Sequence, residues 1–101
     1  MLDDTLNRTA RFTAEERAMI VAYYAPELGR GLVTLRREHD ADGRERLALI
    51  DADGRAPIVF CRDGGAYACI GGQGEVLGES ATLLGLLAVL PRHHQRALAL
   101  A

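Results

Sequence analysis

The sequence predicts a single α+β domain, residues 1–101, in which helices flank an antiparallel meander of four or five strands. Asp-Gly steps recur at Asp42-Gly43, Asp53-Gly54 and Asp63-Gly64. Such steps supply the positive φ values that tight hairpin turns need. The two segments between them, 47–50 and 58–61, are apolar and of strand length. Short strands separated by regular turns predict a meander.

An N-terminal helix is predicted from residue 14 to residue 25. Thr13 and Glu16 have the spacing of a capping box, in which each side chain bonds the other residue's backbone amide. Pro26, Gly29 and Gly31 are expected to end the helix. The preceding residues 1–12 are mostly polar and are expected to form a loose arm.

The strands are predicted at five places. The first alternates apolar and polar residues, which is typical of a sheet with one solvated face. The third is apolar on both faces and is therefore expected to be central. A short fifth strand follows the glycine-rich turn. The five segments are 32–39, 45–50, 58–61, 66–70 and about 75–77.

A second, hydrophobic helix is predicted over residues 81–90. Ser80 is a suitable N-cap residue for it. Pro91 disfavours helical geometry at the preceding residue and is expected to break the helix. The last residues, 92–101, are expected to form a short tail helix.

Composition excludes several kinds of function. All twelve basic residues are Arg, so no lysine is present to act in a P-loop or as a Schiff base. The formal net charge of −2 favours neither nucleic acid nor an acidic membrane surface as a partner. Because the N-terminus is acidic and lacks an apolar run, we expect no secretory leader and a soluble, cytoplasmic protein. The richness in Ala, Gly, Leu and Arg indicates a bacterial source.

Metal sites are not predicted. The motif Asp-Ala-Asp-Gly-Arg occurs at 40–44 and 51–55, but a calcium loop starting at Asp51 would place Arg55 and Arg62 at ligand positions. Hairpin turns explain the motif better. The histidines His39, His93 and His94 lack the spacing of a metal site and are expected to face solvent.

Cys61 and Cys69 flank one predicted hairpin. A two-residue loop would point the thiols to opposite faces, and a three-residue loop would place them on one face but not directly opposite. Neither arrangement suits a disulfide. We expect two reduced thiols, no metal and no cofactor.

Catalytic signatures are also missing, and no catalytic residue is assigned. The segment Gly71–Ser80, with Tyr67, Cys69 and Ser80, is the best candidate for a ligand- or anion-binding site or a small active site. Glu75 and Glu79 would repel an anion there. The arginines near residues 30–46 alternate with acids, which predicts cross-strand ion pairs rather than phosphate binding.

The apolar surface of the two helices favours a role in protein interaction. We expect a non-enzymatic protein-interaction module (an adaptor, inhibitor or immunity-type protein) that forms a homodimer and also binds a protein partner. The small residues of the two helices are expected to pack together within one chain. The Leu-rich arc of the second helix is then expected to lie on the sheet. The apolar residues that remain on the first helix, with one end of the Leu arc, are left over and place the helices at or beside a dimer interface. The residues assigned to that interface are Met19, Ile20, Tyr23, Tyr24, Leu83, Leu86, Leu87 and Leu90.

Overall fold

A computed structural model describes residues 11–63 and 65–90 of the chain. Within these residues, three helices and five strands follow one another in the order α1 (Ala14–Tyr23), α2 (Ala25–Gly29), β1 (Val33–His39), β2 (Glu45–Asp51), β3 (Ile58–Asp63), β4 (Ala66–Gly71), β5 (Val76–Ser80) and α3 (Leu83–Val89). The predicted α+β class is confirmed. The predicted tail helix at 92–101 and most of the N-terminal arm lie outside the described residues.

The five strands form one antiparallel sheet in the order β1-β2-β3-β4-β5. Each strand pairs with the next in sequence, as a meander requires, and β3 is central as its two apolar faces predicted. The edges are β1 and β5, so the sheet is not closed.

Two of the predicted Asp-Gly turns are confirmed. Gly43 and Gly54 both have φ 80°, in the left-handed region that favours glycine. They connect β1 to β2 and β2 to β3. At the third step, Asp63 is the last residue of β3, whereas Gly64 lies outside the described residues.

The first helix begins as predicted and ends earlier. The Glu16 amide donates to Thr13 Oγ1 at 3.1 Å, and the Thr13 amide donates to Glu16 Oε1 at 2.8 Å, which completes the capping box. The helix ends at Tyr23. The expectation that Pro26 ends this helix is wrong, because Pro26 instead lies in the first turn of α2, where its missing amide costs no hydrogen bond.

The fifth strand is longer than predicted, and this shifts the start of the last helix. Gly78 pairs with Cys69 and Ser80 pairs with Tyr67 in the β4–β5 ladder. Ser80 therefore ends a strand and is not the N-cap. Thr82 has that role, and its Oγ1 accepts the Gly85 amide at 3.0 Å.

The hydrophobic core lies between one face of the sheet and the helices. Alternate residues of β2, β3 and β4 supply the sheet side, and α1 and α3 supply the cover. No helix in the described parts of the chain is long and apolar enough to cross a membrane. The buried core cluster is Phe12, Ile20, Tyr24, Val33, Leu47, Leu49, Ile58, Phe60, Tyr67, Cys69, Leu83, Leu86, Leu87 and Leu90.

Candidate functional site

The structure buries most of the residues expected at a dimer interface. Ile20, Tyr24 and Leu86 are 0% exposed within a single chain. Leu83, Leu87 and Leu90 are also buried. The expectation that Ile20 and Tyr24 are left uncovered is therefore wrong, since one sheet face and the helices cover them together, whereas the burial of the Leu arc agrees with its expected position on the sheet. Of the eight, only Met19 and Tyr23 are half-buried.

The helices nevertheless leave an apolar groove between α1 and α3. Its volume is about 480 Å³. Leu84 stands at its side with 70% of its surface exposed. The expected packing of small residues from the two helices against each other is wrong, because Ala22 and Ala88 are exposed and line the groove instead. The lining residues are Met19, Ala22, Tyr23, Leu84, Leu87 and Ala88.

A polar cluster fastens the start of α1 to the sheet. Arg62 donates from Nη1 to Glu16 Oε1 at 2.8 Å and to the Arg11 carbonyl at 2.7 Å. The Tyr67 hydroxyl donates to Glu16 Oε2. Burial raises the pKa of Glu16, but hydrogen bonds from Thr13 and Tyr67 and the charge of Arg62 outweigh it, and the pKa lies below its ordinary value. The cluster thus holds an ionised carboxylate.

A second carboxylate, that of Glu45 on β2, also attaches the segment before α1 to the sheet. Glu45 is 1% exposed, and its Oε1 accepts the Phe12 amide at 2.9 Å. Arg17 Nη1 lies 3.8 Å from Oε1, and Arg37 Nη1 lies 3.7 Å from Oε2. Arg17 also donates to the Phe12 carbonyl at 3.0 Å.

These two clusters were not found from the sequence. Glu45 lies two residues before Leu47 and therefore on the same, core-facing side of β2. A charged residue at such a position was the one feature of the sequence that could have indicated a buried ion pair. Both carboxylates are occupied by backbone amides and arginines, so the arrangement positions a chain segment rather than offering a reactive group.

The opposite face of the sheet carries no residue of the core cluster. We call it the open face; its apolar members are Ala48, Ile50, Val59, Cys61, Ala68, Ile70 and Val76. Ala48 and Ile50, on β2, are nevertheless buried within the chain, at 0% and 9% exposed. Val76 is 56% exposed. A hollow of about 440 Å³ lies on this side at β3–β5, where small side chains lower the surface. It is lined by Cys61, Ala66, Tyr67, Ala68, Glu79 and Ser80.

Three amides of the glycine-rich turn are already bonded within the chain. The Gly71 amide donates to the Glu75 carbonyl at 2.7 Å, and the Gly74 amide donates to the Gly71 carbonyl at 3.0 Å. The Gln73 amide donates to the Glu75 carboxylate at 3.2 Å. A carboxylate of the chain itself therefore sits where an anion would bind.

The residues of the alternative site are only partly brought together. Tyr67 and Ser80 are paired across strands and line the hollow. Cys69 is 0% exposed and lies among the core residues. Burial raises its pKa to about 12, which makes it a poor nucleophile.

The two thiols point to opposite faces, as a two-residue loop predicted. Cys69 pairs with Phe60 on the core face, and Cys61 pairs with Ala68 on the open face. Both cysteines are free. Burial also raises the pKa of Cys61, although the nearby charge of Arg46 lowers it in part.

No group of three potential metal ligands occurs within residues 11–63 and 65–90. His39 is exposed, and His93 and His94 lie outside those ranges. In the repeated turns, Asp40 Oδ1 accepts amides of its own loop at 2.9 Å, and Asp51 Oδ1 does the same. These carboxylates act as turn-forming groups.

Arg37 on β1 pairs with Glu45 on β2, as predicted for cross-strand ion pairs, whereas Arg36 pairs with Glu38 within β1. Arg36 Nε lies 3.1 Å from Glu38 Oε1. Arg46 Nε lies 3.8 Å from Asp40 Oδ2. The pairs leave no concentrated basic surface at these positions.

Comparison of the chain with protein-family models, curated proteins and solved structures finds no match.

Proposed function

We propose that the protein is a small, non-enzymatic interaction module of the adaptor, inhibitor or immunity type. In this proposal it works in the cytoplasm as a homodimer and binds a second protein through the groove between α1 and α3. The observation that carries the proposal is the combination of this apolar groove with Leu84, which is 70% exposed beside it. Exposed apolar surface of this kind marks protein contact sites.

The charge of the groove indicates what kind of partner fits. Residues 18–26 contain no charged side chain, and neither do residues 80–90. An apolar helix or loop of a partner would bury its surface there without desolvating a charge. Contact through an amphipathic segment is the mode that such a groove suits.

The alternative is a ligand- or anion-binding site, or a small enzyme, built on the 71–80 segment. It has weaker support, since the Glu75 carboxylate occupies the turn and Cys69 is buried. The hollow beside Tyr67 and Ser80 remains its best location.

A capture experiment with matched variants tests the groove. Tagged wild-type protein, Leu84→Glu and Val21→Glu are incubated with lysate of the native cell, and retained proteins are identified by mass spectrometry. Val21 is the control because it is 43% exposed on α1 but does not line the groove. The proposal expects one partner retained by wild type and Val21→Glu and lost by Leu84→Glu. A partner retained equally by all three would place its binding site elsewhere.

A further inference from the structure

We propose that a segment of the chain itself, residues 97–101, occupies the groove between α1 and α3 when no partner is bound. We call these residues the tail segment; they lie outside the described part of the chain. The inference rests on the proposed function and adds a regulation of the same site, because the partner protein then has to displace the tail segment before it can bind.

The two walls of the groove face each other across an unfilled space. Each wall is built from positions i, i+3 and i+4 of its helix, which lie on one helical face. Two apolar faces arranged in this way leave room for a further apolar segment between them. The walls are Met19, Ala22 and Tyr23 on α1, and Leu84, Leu87 and Ala88 on α3.

The size of the groove suits a short occupant. Its volume of about 480 Å³ lies within the range of clefts that hold one small molecule, about 300–1,000 Å³. A few side chains fill a space of this size. A short apolar segment is therefore enough to close the groove.

The tail segment has the side chains that such a groove takes up. Residues 97–101 read Ala-Leu-Ala-Leu-Ala, with Leu98 and Leu100 as the two large members. All lining residues of the groove are uncharged, so the two leucines would be buried there without desolvating a charge. They would also cover Leu84, which is 70% exposed. Residues 1–10 match the groove less well, because they include two Asp and one Arg.

The tail segment is tethered beside the groove. One wall of the groove is α3, and Leu90, which follows it, has φ −65° and ψ 133°, so the chain turns out of the helix there. The linker, residues 91–96, can span up to about 20 Å, whereas Leu84 lies only about 9 Å back along α3. The linker is thus long enough to return along the wall.

The tether also favours the chain's own segment over other occupants. A short flexible linker gives an effective concentration on the order of millimolar. A partner, or the tail segment of a second copy, competes at its own, lower concentration. The proposal therefore commits to a contact within one chain.

A single tryptophan tests where the tail segment lies. The chain contains no Trp, so Leu98→Trp, Leu100→Trp and the linker control Gln95→Trp each carry one reporter. We expect at least one of the two tail-segment variants to emit at shorter wavelength than the control and to be quenched by acrylamide several times less efficiently. Tail-segment tryptophans that are both as accessible as the control would overturn the inference.

Substitutions at the groove show whether the protected tryptophan lies there. Leu84→Glu places a charge beside the groove and should make the tryptophan as accessible as that of Gln95→Trp. Val21→Glu, on α1 outside the groove, should leave it protected. Circular dichroism checks the fold of each variant. A tryptophan that stays protected in Leu84→Glu, or protection that is lost on dilution, would overturn the contact: the first places the segment elsewhere, and the second assigns it to a second copy.

Partner capture separates this inference from the proposed function. Leu98→Glu should release the tail segment and bind the captured protein about tenfold more tightly than wild type, the factor for a site that is free in about one molecule in ten. Gln95→Glu adds the same charge in the linker and should bind like wild type. A protein captured at the groove no more tightly by Leu98→Glu would overturn the inference alone. A protected tryptophan with no protein captured, even by Leu98→Glu, would overturn the proposed function and leave the contact within the chain.

Discussion

Glu45 and Phe12 are 33 positions apart in sequence, and the carboxylate of the first accepts the backbone amide of the second at 2.9 Å. The bond lies at the buried end of β2, where Glu45 is 1% exposed. A buried carboxylate is costly unless it is paired and hydrogen-bonded. Here the amide, together with Arg17 and Arg37, meets that requirement. The Glu45 side chain thus fixes the segment before α1 to the sheet.

Replacing this carboxylate should destabilise the protein. Glu45→Ala leaves the Phe12 amide without its acceptor and opens a space in the core, so the free energy of unfolding should fall by about 2–4 kcal/mol. Urea denaturation measures the change. Glu38→Ala removes a more exposed carboxylate paired with Arg36 and should cost less than about 1 kcal/mol. Equal losses in the two variants would contradict the structural role of Glu45.

Glu16 should make stability depend on acid pH. Its pKa is lowered in the folded protein, so its contribution is fully present above the unfolded-state pKa and is lost as pH falls through the folded-state value. Wild type should therefore lose more stability than Glu16→Gln when the pH is lowered from neutral to about 3, below the ordinary carboxyl range. Urea unfolding of both proteins across this range gives the comparison, and parallel curves would refute the assignment.

The repeated turn permits a paired test within one loop. Asp51 Oδ1 accepts the amides of Asp53 and Arg55, both at 2.9 Å. Asp51→Ala removes both bonds and should lower the free energy of unfolding by about 1–2 kcal/mol. Asp53→Ala changes an exposed side chain of the same turn and should cost less than about 0.5 kcal/mol. Thermal unfolding monitored by circular dichroism ranks the two, and the reverse order would count against the turn geometry.

Replacing Gly85, even by alanine, is expected to destabilise the protein. A Cβ atom there would lie 2.5 Å from Ser80 Oγ and 2.8 Å from Thr82 Oγ1, the atom that caps α3. Gly85→Ala should therefore lower the free energy of unfolding by about 1 kcal/mol, although alanine favours helices. Gly29→Ala meets no atom within 4 Å and is the control; it should be neutral or stabilising. Chemical denaturation of both variants decides, and a stabilised Gly85→Ala would show that Ser80 and Thr82 can move aside.

The fold could be predicted from the sequence where local chemistry determined it. The capping box at Thr13 and the turns at Gly43 and Gly54 depend on neighbouring residues alone, and all three were correct. The start of α3 was wrong because pairing of Ser80 with Tyr67, a contact between distant residues, outweighed its N-cap preference.

The candidate site was harder to predict from the sequence, because it depends on contacts between residues that are distant along the chain. Helical periodicity identified apolar faces on both helices, but it could not show that the sheet covers Ile20 and Leu86 completely. The roles of Glu45 and Arg62 depend on strand register and on the path of residues 11–13. Neither is encoded in spacing along the chain.

One side chain of the α1 capping box, that of Glu16, takes part in both the helix cap and the contacts between helix and sheet. Glu16 closes the first turn of the helix and also accepts hydrogen bonds from Arg62 on β3 and Tyr67 on β4. A helix of ten residues is marginal by itself and would fray from its first turn. Here fraying of the first turn also requires the Glu16 contacts with Arg62 on β3 and Tyr67 on β4 to break. We therefore expect the Glu16 amide, which donates to Thr13 Oγ1, to exchange with solvent more slowly than it would in an isolated helix.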